Sequence, residues 1–82
     1  MPRQTYFTSG RHVAASRAMA GLKQTELATL AGLHVNSLKR LEAMKGVSGS
    51  EHAANRIGEA LKLKGVIAEI WPRPTIRLEL EK

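Results

Sequence analysis

Val35, Asn36, Lys39 and Arg40 fall at i, i+1, i+4 and i+5, a spacing that puts them on one side of an α-helix. Leu38 and Leu41, at i and i+3, form a separate apolar seam on the same segment. The chemistry of the first group is that of base recognition. The Asn36 amide carries a donor beside an acceptor and matches adenine N6 and N7, and the Arg40 fork matches guanine O6 and N7. Val35 offers methyl surface suited to a thymine methyl, and Lys39 suits a guanine or a phosphate. Side chains projecting from the first turns of a helix can reach base edges in the major groove of duplex DNA. The bland alternative for Val35, Asn36 and Lys39 is ordinary helix surface.

A helix used this way must be held by its neighbours. Leu27, Ala28 and Ala31 give a preceding helix a narrow apolar stripe, and Gly32 follows where a helix end favours positive φ. Leu33 then plugs the angle between the two helices. Two short helices folded over one glycine, the second with a polar and cationic outer side, describe a helix-turn-helix. Gln24 opens the first of them, where free backbone N–H groups favour an anion, and Lys23 adds charge beside it. His34, at the start of the second, is placed to touch a phosphate. Ser37 faces the junction and either touches a phosphate or packs.

Residues 13–46 resemble the lambda-repressor-like (Cro/CI, XRE) helix-turn-helix family. The resemblance is carried by Arg17, Gly21-Leu22, Gln24, Glu26-Leu27-Ala28, Ala31-Gly32-Leu33, Ser37-Leu38, Arg40-Leu41-Glu42 and Gly46. Family members usually cap these two helices with Ser or Thr, where this chain has Lys23 and His34. The resemblance implies that Val35, Asn36 and Arg40 read bases, that Gln24 and Lys45 hold the DNA backbone, and that Arg17 pairs with Glu42. Arg17 lies on or beside the apolar face of its helix and needs an anion there, which agrees with a structural pair. The competing assignment gives Arg17 to DNA.

Composition fits a nucleic-acid partner. The 82 residues carry a net charge of +6, and residues 1–50 hold seven Lys/Arg against two Glu, while residues 51–82 hold six against five. The excess positive charge therefore sits on the half with the helix-turn-helix, where a polyanion is the natural partner. There is no Cys and no Asp, and His12, His34 and His52 lie in different elements, each most simply at the surface. No disulfide, metal site, cofactor or enzyme chemistry is expected. No secretory signal and no long apolar run is evident, so the expected setting is cytoplasmic, with no membrane.

The expected fold is mainly α, a four-helix lambda-repressor-like domain followed by a C-terminal β-hairpin or strand pair. Residues 1–7 read as a loose arm, with Arg3 free to reach a phosphate or minor groove or simply to fray. Residues 8–64 read as the helix-turn-helix domain and 65–82 as the strand pair. Thr8 or Ser9 caps a first helix whose inward side is Val13, Ala14 and Ala18, with Met19 and Arg17 beside it. Ser48 or Ser50 starts a fourth helix running to about residue 64, with Ala53, Ile57, Ala60 and Leu61 inward. Ile76, Leu78 and Leu80 alternate with polar residues, and 66–71 is strand-like, joined through Pro72-Arg73-Pro74. Since a lone hairpin is marginal in water, Val66, Ile67, Ile70, Trp71, Ile76 and Leu78 are expected to dimerise or pack within the chain.

The leading expectation is a sequence-specific DNA-binding regulator of transcription, a repressor acting as a homodimer on an inverted repeat, with no room for a ligand-sensing domain. The alternatives are an antitoxin or anti-activator whose strands capture a protein partner, and an architectural factor of phage or mobile-element recombination.

Overall fold

The computed structural model describes residues 7–46, 51–69 and 74–79. Among them are four helices, α1 (Gly10–Met19), α2 (Gln24–Ala31), α3 (Val35–Ala43) and α4 (Glu51–Lys62), then two strands, β1 (Val66–Glu69) and β2 (Thr75–Leu78). The mainly α architecture with a C-terminal hairpin is the one the patterning predicts. None of these helices is long and apolar enough to cross a membrane.

α1 starts at Ser9, whose hydroxyl accepts the His12 N–H at 3.2 Å, an N-cap of the expected type. Gly21, at φ +72°, stops the helix and lets the Leu22 N–H reach back to the Arg17 carbonyl. The inward side of α1 differs from the expected one. Val13 is buried, but Ala18 and Met19 are exposed, and Gly10, His12 and Ser16 are buried instead. Polar groups go inside here because each is satisfied: the Ser16 hydroxyl donates to the His12 carbonyl at 2.8 Å. His12 is not a surface residue. At 8% exposure, its Nδ1 accepts the Thr8 N–H at 3.2 Å, which leaves Nε2–H to donate to the Thr75 carbonyl of β2 at 2.9 Å. The Phe7 ring meets the imidazole edge-on, with centroids 5.3 Å apart. Phe7, assigned with the arm in the sequence reading, is a core residue; residues 1–6 lie outside the described residues.

Gly10 packs directly against the main chain at the end of α3. Its N–H donates to the Met44 carbonyl at 3.1 Å, and a Cβ there would run into the carbonyl oxygens of Leu41, Glu42 and Met44. The core is one cluster fed by every element, including Leu27, Ala28 and Ala31 of α2, Leu38 and Leu41 of α3, and Ile57, Ala60 and Leu61 of α4. In α4 the inward stripe also takes Ala54 and Gly58, while Ala53 is only half-buried. Ser48 and Ser50 lie outside the described residues. α4 stops at Lys62, two residues short of the expected end, because its last turn tightens into i→i−3 bonds from Leu63, Lys64 and Gly65.

The strands pair antiparallel with Val66 opposite Leu78, Ile67 opposite Arg77, Ala68 opposite Ile76 and Glu69 opposite Thr75. Val66 and Ala68 face the helices and are buried, and Ile76 packs beside them. On the other face Arg77 reaches both Glu69 and Glu79. The strand predicted over 75–78 is present, but its half-buried alternation holds only at Ile76, since Leu78 is 49% exposed at the end of the pairing; Leu80, Ile70 and Trp71 lie outside the described residues.

Candidate nucleic-acid interface

α3 is fixed before it is decorated. Leu38 is 0% exposed and Leu41 2%, so the leucine seam is spent entirely on the core. What remains outside is Asn36, Lys39 and Arg40, all exposed, with the small Ala43 continuing the same line. Val35 is half-buried and packs against the core, because a side chain in the first turn leans back toward the preceding helix. Of the four proposed base readers, three therefore stand free on one side and Val35 sits at its margin.

The turn before α3 is built from main chain. Gly32 adopts φ +71°, its N–H reaching the Thr29 carbonyl at 3.1 Å while the Leu33 N–H bonds the Ala28 carbonyl at 2.8 Å. Arg56 of α4 secures this turn by donating from Nε to the Ala31 carbonyl at 2.9 Å, and its guanidinium end occupies the space a Cβ on Gly32 would need. The helical period placed Arg56 outward, which holds for its exposure; nothing in the pattern announced this reach across to α2. His34 then replaces the usual Ser or Thr cap. Its Nδ1 accepts the Asn36 N–H at 3.2 Å, and its ring is exposed at the head of α3. Ser37 is half-buried at the junction.

At the head of α2, Lys23 has no acceptor to offer, and only the reciprocal half of a capping box forms: the Lys23 N–H donates to the Glu26 carboxylate at 2.8 Å. Lys23 is exposed, as is Lys45 beyond α3.

Arg17 and Glu42 meet in the geometry of a two-pronged ion pair. Nε donates to Oε2 at 2.7 Å and Nη2 to Oε1 at 3.1 Å, with side-chain exposures of 21% and 8%. Arg17 Nη1 donates to the Leu22 carbonyl at 2.9 Å, so the guanidinium also holds the α1–α2 turn. The bonds to Glu42 hold Arg17 charged above the ordinary arginine range, outweighing the opposing effect of burial. Gln24 adds a third donor, its Nε2 reaching Glu42 Oε1 at 3.0 Å. One carboxylate near the end of α3 is thus gripped from α1 and from the head of α2. Sequence spacing did not disclose that Gln24 is directed toward Glu42.

The segments bearing Lys23, Gln24 and Lys45 are brought together by that contact, since Lys45 follows Glu42 by three residues. Exposed Lys23, His34, Lys39, Arg40 and Lys45 thus belong to two adjoining helices and their ends. Glu42 is neutralised by Arg17, and Glu26 is turned onto the backbone of Lys23. The arrangement can attract a polyanion and offer it an amide and a guanidinium from one helix. Among the described residues, no group of three or more His, Cys, Asp or Glu side chains stands where it could hold a metal ion. Comparison with models of known protein families, and with curated proteins, returns no match.

Proposed function

We propose that this chain is a sequence-specific DNA-binding regulator of transcription of the lambda-repressor-like kind, acting as a repressor. α3 serves as the recognition helix in the major groove. The observation that carries the reading is the division of α3 into a fully buried leucine seam and an exposed line of Asn36, Lys39 and Arg40. Arg40 reads guanine and Asn36 adenine, with Val35 at the edge contributing methyl contact. Lys23, Gln24, His34 and Lys45 grip phosphates and set the docking register, and Ser37 supports the junction. Arg17 and Glu42 hold the recognition helix rather than touch DNA.

We further propose that it binds as a homodimer on an inverted repeat. Val66 and Ala68 are committed to the core of their own chain, so among the described strand residues the apolar surface open to a second copy is half-exposed Leu78 with Ile76 beside it, and half-buried Ile67 on the opposite face. The same burial withdraws Val66 and Ala68 from the apolar strand surface that a captured protein partner would use.

The test is selection of bound duplexes from a random pool, then affinity measured over a salt series. A single preferred half-site is expected, with log K falling by about 0.9 per neutralised phosphate per log unit of salt. Arg40→Ala should weaken the selected site by about 1–3 kcal/mol and relax one position of it. Binding indifferent to sequence, or unaffected by Arg40→Ala, refutes the reading.

A further inference from the structure

Resting on the DNA-binding reading, we infer that Glu42 is a positioning residue for DNA docking, acting through Gln24 as well as through Arg17. Glu42 carries two carboxylate oxygens, of which Oε2 takes Arg17 Nε while Oε1 takes both Arg17 Nη2 and Gln24 Nε2. The Gln24 contact cannot be reversed. Turning the amide over would set its carbonyl oxygen against the Glu42 oxygen, two acceptors face to face with no proton between them. The carboxylate therefore dictates which end of the amide faces inward and holds it there by a charge-assisted bond. An Nε2 group has two protons, and the second has no partner among the described residues. It remains available to a phosphate oxygen, at the head of α2, beside the exposed Lys23.

A free glutamine would have to lose its side-chain rotamer freedom when it docks. Here the bond to Glu42 does that ordering in the free protein, on a side chain that is half-buried rather than free in solvent. The same carboxylate is charge-compensated by Arg17, so a phosphate approaching Gln24 meets a neutral pair rather than a bare anion. The ion pair that locks α3 to α1 thus also sets the geometry of a backbone contact made from α2.

The experiment is a double-mutant cycle on the full chain against its selected duplex, at a temperature where every variant is folded. Gln24→Met alone should weaken binding by about tenfold, the size of one hydrogen bond to a charged group, and leave the salt slope unchanged, because the amide carries no charge. In a Glu42→Gln background the same change should cost less than about threefold, because the amide is no longer held. Glu42→Asp serves equally if Glu42→Gln does not fold, since it keeps the charge for Arg17 but withdraws the oxygen from Gln24. In the protein without DNA, the two side-chain amide protons of Gln24 should be distinct by NMR, one of them protected from exchange, and this distinction should collapse in either Glu42 variant.

Fully multiplicative effects on binding, or Gln24 amide protons that exchange freely in the wild-type chain, overturn the inference while leaving the DNA-binding reading intact. A wild-type chain that selects no duplex removes both.

Discussion

Replacing Gly10 with alanine should unfold this protein at a markedly lower temperature, although the same change in most helices is favourable. Glycine in a helix costs roughly 0.5–1 kcal/mol relative to alanine, so propensity alone predicts a gain of that size. Packing predicts the reverse. The added methyl would be driven into the carbonyl oxygens of Leu41, Glu42 and Met44, all of them main chain at the end of α3. Backbone cannot swing aside as a side-chain tip can, so α1 must back away from α3. Doing so stretches the bond from the Gly10 N–H to the Met44 carbonyl, now 3.1 Å long, at a cost of about 1 kcal/mol. Overpacking at a tight contact adds about 1–3 kcal/mol. After the propensity gain the net loss is about 1–3.5 kcal/mol, or roughly 5–25 °C in Tm for a domain of this size. Far-UV circular dichroism melts without DNA measure it. Gly21→Ala is the internal control: it has positive φ but open space around it, so only backbone strain of about 1–2 kcal/mol applies. A Gly10→Ala midpoint equal to or above wild type refutes the reasoning, because α1 and α3 could not then be in main-chain contact.

Three further outcomes are expected. Arg17→Ala should cost about 3 kcal/mol in chemical denaturation, since it strands a Glu42 carboxylate that is 8% exposed, whereas the double variant Arg17→Met/Glu42→Leu should recover most of the loss. His12→Ala should cost about 3 kcal/mol by the same assay and speed amide exchange across β2, because the Thr75 carbonyl, the Thr8 N–H and the Phe7 ring each lose a partner. Arg56→Ala should cost only about 0.5–1.5 kcal/mol in a thermal melt, since water can reach the Ala31 carbonyl once the exposed guanidinium is gone.

The parts of the fold that were legible are those written in period. Leu27, Ala28 and Ala31, then Leu38 and Leu41, then Ile57, Ala60 and Leu61 repeat at helical spacing and are all buried. Asn36, Lys39 and Arg40 were legible by exclusion, as what the leucine seam leaves outside. α1 was misread because its buried side is not apolar. Gly10, His12 and Ser16 are inside for reasons that lie elsewhere in the chain: main chain of α3 for the glycine, and a carbonyl 63 residues away for the histidine. Local hydrophobicity cannot announce such partners. Ala54 and Gly58 escaped notice for a related reason, since small residues mark close approach only when the approaching element is known. The direction of the Gln24 side chain is a tertiary fact of the same kind.

The bond from His12 to Thr75 has a consequence for how the chain comes to its final state. The imidazole in α1 is fully satisfied only when β2 is in place, so the wiring of the first helix depends on a strand 63 residues further along the chain. A nascent chain stalled before the hairpin would hold a helix-turn-helix whose first helix still has a polar group seeking a partner. Closure of α1 onto β2 is thus a long-range contact, and any loosening of the hairpin is felt directly at the first helix.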